Sequence, residues 1–125
     1  RRQPASEPMF KSAIPLLHVS TASAAIGFYC GQLGFSLDFA NRPGGVDDPC
    51  YMGMSRDGVQ LHLSSFPGDG VPGGVVTIRV DDVDALHREL RSRGVPIDTG
   101  PVDQTWGTRE MYVKDGDGNS IRFQS

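Results

Sequence analysis

Three histidines, two cysteines and one acidic run are the residues of this chain whose types could do chemistry. His18, His62 and His87 could each ligate a metal or move a proton. No His-x-His or His-Glu-x-x-His spacing sets two of them on one face of an element. His87 follows Leu86 in a helical stripe and reads as a surface or half-buried helix residue. Cys30 and Cys50 are 20 positions apart and match no metal or redox motif. Both are expected as free thiols in a reducing cytoplasm. The run Asp115-Gly116-Asp117-Gly118-Asn119 looks like the opening of a calcium loop, which needs a Gly at its sixth position and a Glu at its twelfth. Its sixth residue is Ser120 and the chain ends before the twelfth, so the run reads as a hairpin turn. No Gly-x-Ser-x-Gly elbow and no phosphate-cradling Gly-Lys-Ser/Thr loop is present.

The elements that must position these residues occur twice. Ile14-Pro15-Leu16-Leu17-His18-Val19 leads into a helix closed by Gly34, and Val75-Val76-Thr77-Ile78-Arg79-Val80 leads into one closed by Gly94. The two glycines are 60 positions apart, and so are Asp57-Gly58 and Asp117-Gly118, each opening a final strand. A repeat of that size implies two copies of one small unit. In the first, a strand over 13–20 puts Pro15, Leu17 and Val19 on one face and Ile14, Leu16 and His18 on the other, both apolar enough to be covered. Thr21 or Ser23 can cap a helix whose stripe is Ala22, Ala25, Ile26, Tyr29 and Leu33. Strands follow over 36–41, 50–55 and 59–65, the last two joined at Asp57-Gly58. In the second, Asp82 can cap a helix carrying Val83, Leu86 and Leu90, and strands are expected over 75–80, 97–102, 108–113 and 120–123. The fold class is therefore α+β: two βαβββ modules, residues 13–66 and 75–125, joined by a linker at 67–74 and preceded by an arm at 1–12, forming a curved mixed sheet with a cleft.

Composition sets bounds on function. The chain has 125 residues, 38% of them hydrophobic and 22% charged, as in an ordinary single domain. A net charge of −3 argues against nucleic acid as a partner. No apolar run approaches the roughly 18 residues of a membrane helix, and no secretory leader is evident, so a cytoplasmic location is expected.

The order of elements and several segments resemble the vicinal-oxygen-chelate superfamily of glyoxalases, extradiol dioxygenases and bleomycin-resistance proteins. The segments are Ile26-Gly27-Phe28-Tyr29, Leu33-Gly34-Phe35, Val80 to Leu86, Trp106-Gly107-Thr108-Arg109-Glu110 and Asp115 to Ile121. The resemblance covers 13–123. It implies the two-module fold and, in the family's enzymes, one divalent metal held by His, Glu or Gln on the first and last strands of each half. Those positions project onto Ile14, His62, Val75 and Arg122. One donor remains, and Arg122 sets a permanent cation where the metal would lie. The resemblance is therefore strongest to the bleomycin-resistance branch, which sequesters a drug in clefts of a homodimer without catalysis.

That likeness implies a metal-free, cofactor-free binding protein that holds an antibiotic or metabolite in a dimer cleft. The ligand-binding positions it implies are Asp38, Phe39, His62, Ser64, Trp106 and Arg122. Trp106 is expected at the start of a strand, lining a groove. Alternation also puts His18 and Arg79 on the cleft side, a charge balance that favours an anionic or acceptor-rich ligand over a cation. The alternatives are a metal-dependent lyase, isomerase or dioxygenase using atypical ligands such as His62 and His18, and a module that only dimerises.

Overall fold

A computed structural model describes residues 7–125. The order is β1 (Leu16–His18), α1 (Ala22–Ala25) continuing as a π-helical segment (Ile26–Gln32), β2 (Ser36–Asn41), β3 (Tyr51–Arg56) and β4 (Val59–Ser64), then β5 (Val75–Arg79), α2 (Val83–Ser92), β6 (Thr99–Asp103), β7 (Arg109–Lys114) and β8 (Ser120–Gln124). Each module forms one four-stranded sheet, ordered β1-β4-β3-β2 and β5-β8-β7-β6. The first strand of each lies parallel to the last, and all other pairs are antiparallel. The βαβββ repeat and the α+β class are those expected. The arm's first six residues lie outside the described residues, and its remainder, 7–12, is exposed and without regular structure.

Local chemistry explains most boundaries. The Thr21 hydroxyl accepts from Ala24 N, and the Asp82 carboxylate accepts from Asp84 N and Ala85 N, capping the two helices. Asp57 and Gly58, with φ of 51° and 80°, make the tight turn between β3 and β4. Three expectations need correction. The first strand shrinks from 13–20 to Leu16–His18, because Pro15 has no N–H to give and pairs only through its carbonyl, which accepts from His62 N. The helix after it is not α-helical throughout: past Ala25 it widens, and Leu33 N reaches back five residues to Phe28 O. The Ile14 and Leu16 face is not covered; both side chains stay exposed.

The inner faces of both sheets and one side of each helix merge into a single buried cluster. Leu17, Leu61, Leu63, Met52 and Met54 enter from the first sheet, and Val76, Ile78, Met111, Val113 and Ile121 from the second. Each such side chain contributes roughly 1.5–3 kcal/mol on burial, so this core outweighs any ion pair in the molecule. Because both sheets back onto one core, each turns its other face outward.

Two polar clamps fix the modules against each other. At one end, the Tyr29 hydroxyl of the first helix donates to Asp115 at 2.7 Å. Asp115 also accepts from the backbone N–H groups of Asp117 and Asn119 and from the Asn119 amide. Asn119, fully buried, donates to His18 O and accepts from Gly74 N. Ser20 bonds Asp117 beside it. The Asp-Gly run thus joins the two repeats as well as making a turn. At the other end, Arg56 grips Glu89 through two bonds of 2.8 and 2.9 Å and also donates to Leu33 O. Burial, and then Asp115, hold the Tyr29 phenol far above its ordinary 10.0.

Tyr29→Phe is expected to cost about 1–3 kcal/mol in chemical denaturation, the value of a hydrogen bond to a charged, buried acceptor. The raised phenol makes its contribution below pH 10.0 and loses it as pH rises further, when the unfolded chain ionises first. Unfolding free energy measured above pH 10 should therefore fall more steeply in the parent protein than in Tyr29→Phe.

Candidate functional site

The outward face of the first sheet carries an aromatic cluster set by strand register. Pairing aligns Leu16 with His62, His62 with Gly53, and Gly53 with Phe39. A β-bulge between Leu37 and Phe39 makes Asp38 the extra residue and brings Phe39 onto this face. The Phe39 ring lies over Gly53: a Cβ there would meet Phe39 Cε2 at 2.1 Å, so only glycine admits the ring. Phe39 stacks parallel to Tyr51 at 6.3 Å, and both meet His62 edge-on, at 5.5 and 5.3 Å. The Tyr51 hydroxyl and His62 Nδ1 are 2.8 Å apart, a hydrogen bond that fixes the imidazole. Phe39 is still 45% exposed, a large apolar surface turned to solvent.

The outward face of the second sheet is organised around Glu110. Its carboxylate accepts from Trp106 Nε1 at 3.0 Å, Thr108 Oγ1 at 2.5 Å and Tyr112 OH at 2.7 Å. These donors, with Arg122 nearby as the weakest influence, hold Glu110 below the ordinary carboxylate value. The same bond raises the Tyr112 phenol. Trp106 is not at a strand start as expected. It lies in the turn before β7, 66% exposed, and its indole N–H is its tether. Register sets Arg122 beside Tyr112 and Thr77, with its guanidinium 4.5 Å from the Tyr112 ring centre. Arg122 makes no hydrogen bond or ion pair among the described residues, and its Nε is buried.

The six expected site residues are therefore divided. Phe39 and His62 meet on the first sheet, and Trp106 and Arg122 flank Glu110 and Tyr112 on the second. No hydrogen bond or ring contact among the described residues links the two groups. Asp38 is exposed at the bulged edge, accepting from Ser55. Ser64 is fully buried; its hydroxyl donates to Asp69 and accepts from Phe66 N, so it secures the linker. Tyr51, Gly53, Glu110 and Tyr112 escaped the sequence reading. Alternation with Leu61 to Ser64 and with Ile121 to Phe123 could have placed the two tyrosines.

The metal positions of the resembled enzymes can be tested by register. Leu16, not Ile14, lies beside His62, and Thr77, not Val75, beside Arg122. An aliphatic side chain, an imidazole, a hydroxyl and a guanidinium do not fit a divalent ion. Among the described residues no three His, Cys, Asp or Glu side chains converge on a metal-sized site. Both cysteines are free, Cys50 buried and Cys30 against the Met54 sulfur at 3.7 Å. Burial, and then Asp38, push the Cys30 thiol up, away from nucleophilic use. No helix among the described residues is long and apolar enough to cross a membrane.

A family model described as glyoxalase superfamily protein matches residues 1–125. A bleomycin resistance protein from Geobacillus stearothermophilus is 28% identical over 130 aligned positions, covering 89% of this chain and 93% of the relative. Among solved structures, an antibiotic-binding protein from Streptomyces sp. CB03234 is 31% identical with a TM-score of 0.68, covering 93% of this chain and 97% of that one. A bleomycin-binding protein complexed with bleomycin superposes with a TM-score of 0.73 over 93% of this chain and 98% of its own; at 24% identity it shows the shared fold.

The Glu110 hub gives the second face an optical readout. A carboxylate held below 4.5 makes its contribution above that pH and loses it as pH falls through the lowered value. Trp106 emission should shift on acidification with a midpoint below 4.5, and Glu110→Gln should remove that transition.

Proposed function

This chain belongs to the glyoxalase superfamily, and on that premise we propose that it is a metal-free binding protein of the bleomycin-resistance type, sequestering an antibiotic or metabolite in a cleft between two copies. One observation carries this reading. The aromatic cluster of Phe39, Tyr51 and His62 and the Trp106–Glu110–Arg122 group lie on outward faces of two sheets that share one core. A ligand touching both groups at once needs the first sheet of one protomer opposite the second sheet of its partner. Exposed Leu16, Phe39, Val75, Val102 and Trp106 on these faces suit such an arrangement. The relatives named for bleomycin resistance support a binding role, and the donor set at the metal positions supports binding without a metal. Phe39, His62, Trp106 and Arg122 are the proposed contact residues, with Tyr51 and Tyr112 positioning them. Asp38 is assigned to the rim, and the proposed location is the cytoplasm.

Calorimetric titration with metal-free bleomycin at physiological salt, alongside light scattering, tests this. The reading predicts a dimer in solution. Submicromolar binding at one site per chain, with Trp106 quenched, would make this a drug-sequestering protein. A dimer that ignores bleomycin would point to another ligand, and a monomer would contradict the reading. Trp106→Ala should weaken whichever aromatic ligand binds by about fivefold, the value of roughly 1 kcal/mol for one aromatic stack.

A further inference from the structure

The second outward face carries an unused cation. Arg122 has no hydrogen bond or ion pair among the described residues, and its Nε is buried. Glu110, the carboxylate that feels the charge of Arg122, is occupied by three neutral donors. Register puts Arg79 and Lys114 on the same face; Lys114 is only 3.9 Å from Asp98, a long ion pair. The acids among these groups are Glu110, taken up by its three donors, and Asp98, across from Lys114. The first sheet adds His62, hydrogen-bonded to Tyr51, and Asp38 at its bulged edge, beside Ser55. Burying a guanidinium donor without an acceptor is costly unless a ligand supplies one. Tyr112 covers one face of the guanidinium, which leaves its edge donors for a carboxylate-like group. The exposed indole of Trp106 is tethered to Glu110, the carboxylate that Arg122 also influences, and offers a flat apolar surface on the same face.

We propose that this face reads an acidic group, and that the natural ligand is a planar aromatic anion whose carboxylate, phenolate or sulfonate pairs with Arg122 while its ring lies against Trp106. The proposal rests on the binding-protein reading above and gives that site a ligand class opposite in charge to a cationic glycopeptide.

Two probes that differ by one sulfonate separate the claims: 8-anilino-1-naphthalenesulfonate and the neutral N-phenyl-1-naphthylamine. Both are titrated by fluorescence into the full chain and into Arg122→Gln and Arg122→Lys, with circular dichroism confirming the fold. The sulfonate should bind at least roughly tenfold more tightly than the amine. That preference should shrink with added salt, fall to near parity in Arg122→Gln, and survive in part in Arg122→Lys. Equal binding of both probes, or an unchanged ratio in Arg122→Gln, overturns the anionic class and leaves the binding-protein reading standing. Binding of neither probe overturns both.

Discussion

Everything about this molecule's outer surface follows from the sharing of one core by two sheets. Each βαβββ module is too small to bury its own apolar face, and the pair solves this back to back. Tyr29–Asp115–Asn119 clamps one end of the contact and Arg56–Glu89 the other. The hydrophobic term dominates the energy, and the clamps set the register in which the modules meet. With both inner faces committed to that contact, the remaining faces turn outward.

The repeat was legible because its punctuation is chemical. Gly34 and Gly94, with φ of 77° and 76°, end each helix in a conformation that side chains resist. Asp57-Gly58 marks a tight turn, and alternation picks out the strands around it. What could not be read was anything that depends on register between strands. The bulge at Asp38 decides that Phe39 faces outward, and no period in Ser36 to Asn41 announces it. Nothing in the sequence marks Gly53 as the position that the Phe39 ring covers. Ser64 looked available for a ligand, yet its hydroxyl is taken by the linker. The Asp115–Asn119 turn was read correctly as a turn, but its role as an inter-module clamp needs Tyr29, far away in sequence.

The same register explains what became of the metal positions. His62 keeps its donor but is held by Tyr51 within an aromatic cluster. Arg122 substitutes a fixed cation, and Leu16 and Thr77 complete a set with no common ion. Under the proposed function, the chemistry on this scaffold moves from coordination to stacking and charge pairing. The family assignment fixes the architecture. The fold hosts many functions, and in the proposed reading the contacts on the two outward faces carry specificity.

The central claim is that the site is assembled from the first sheet of one chain and the second sheet of another. Subunit complementation tests it most directly. Phe39→Asp and Arg122→Glu homodimers, each setting a like charge against the sulfonate, should each fail to enhance the fluorescence of 8-anilino-1-naphthalenesulfonate. Unfolded together in equal amounts and refolded, they should regain about a quarter of the parent's sites, since half the dimers are mixed and each mixed dimer has one intact cleft. No recovery from the mixture, with both variants folded and dimeric, would contradict the account and place the site within a single chain.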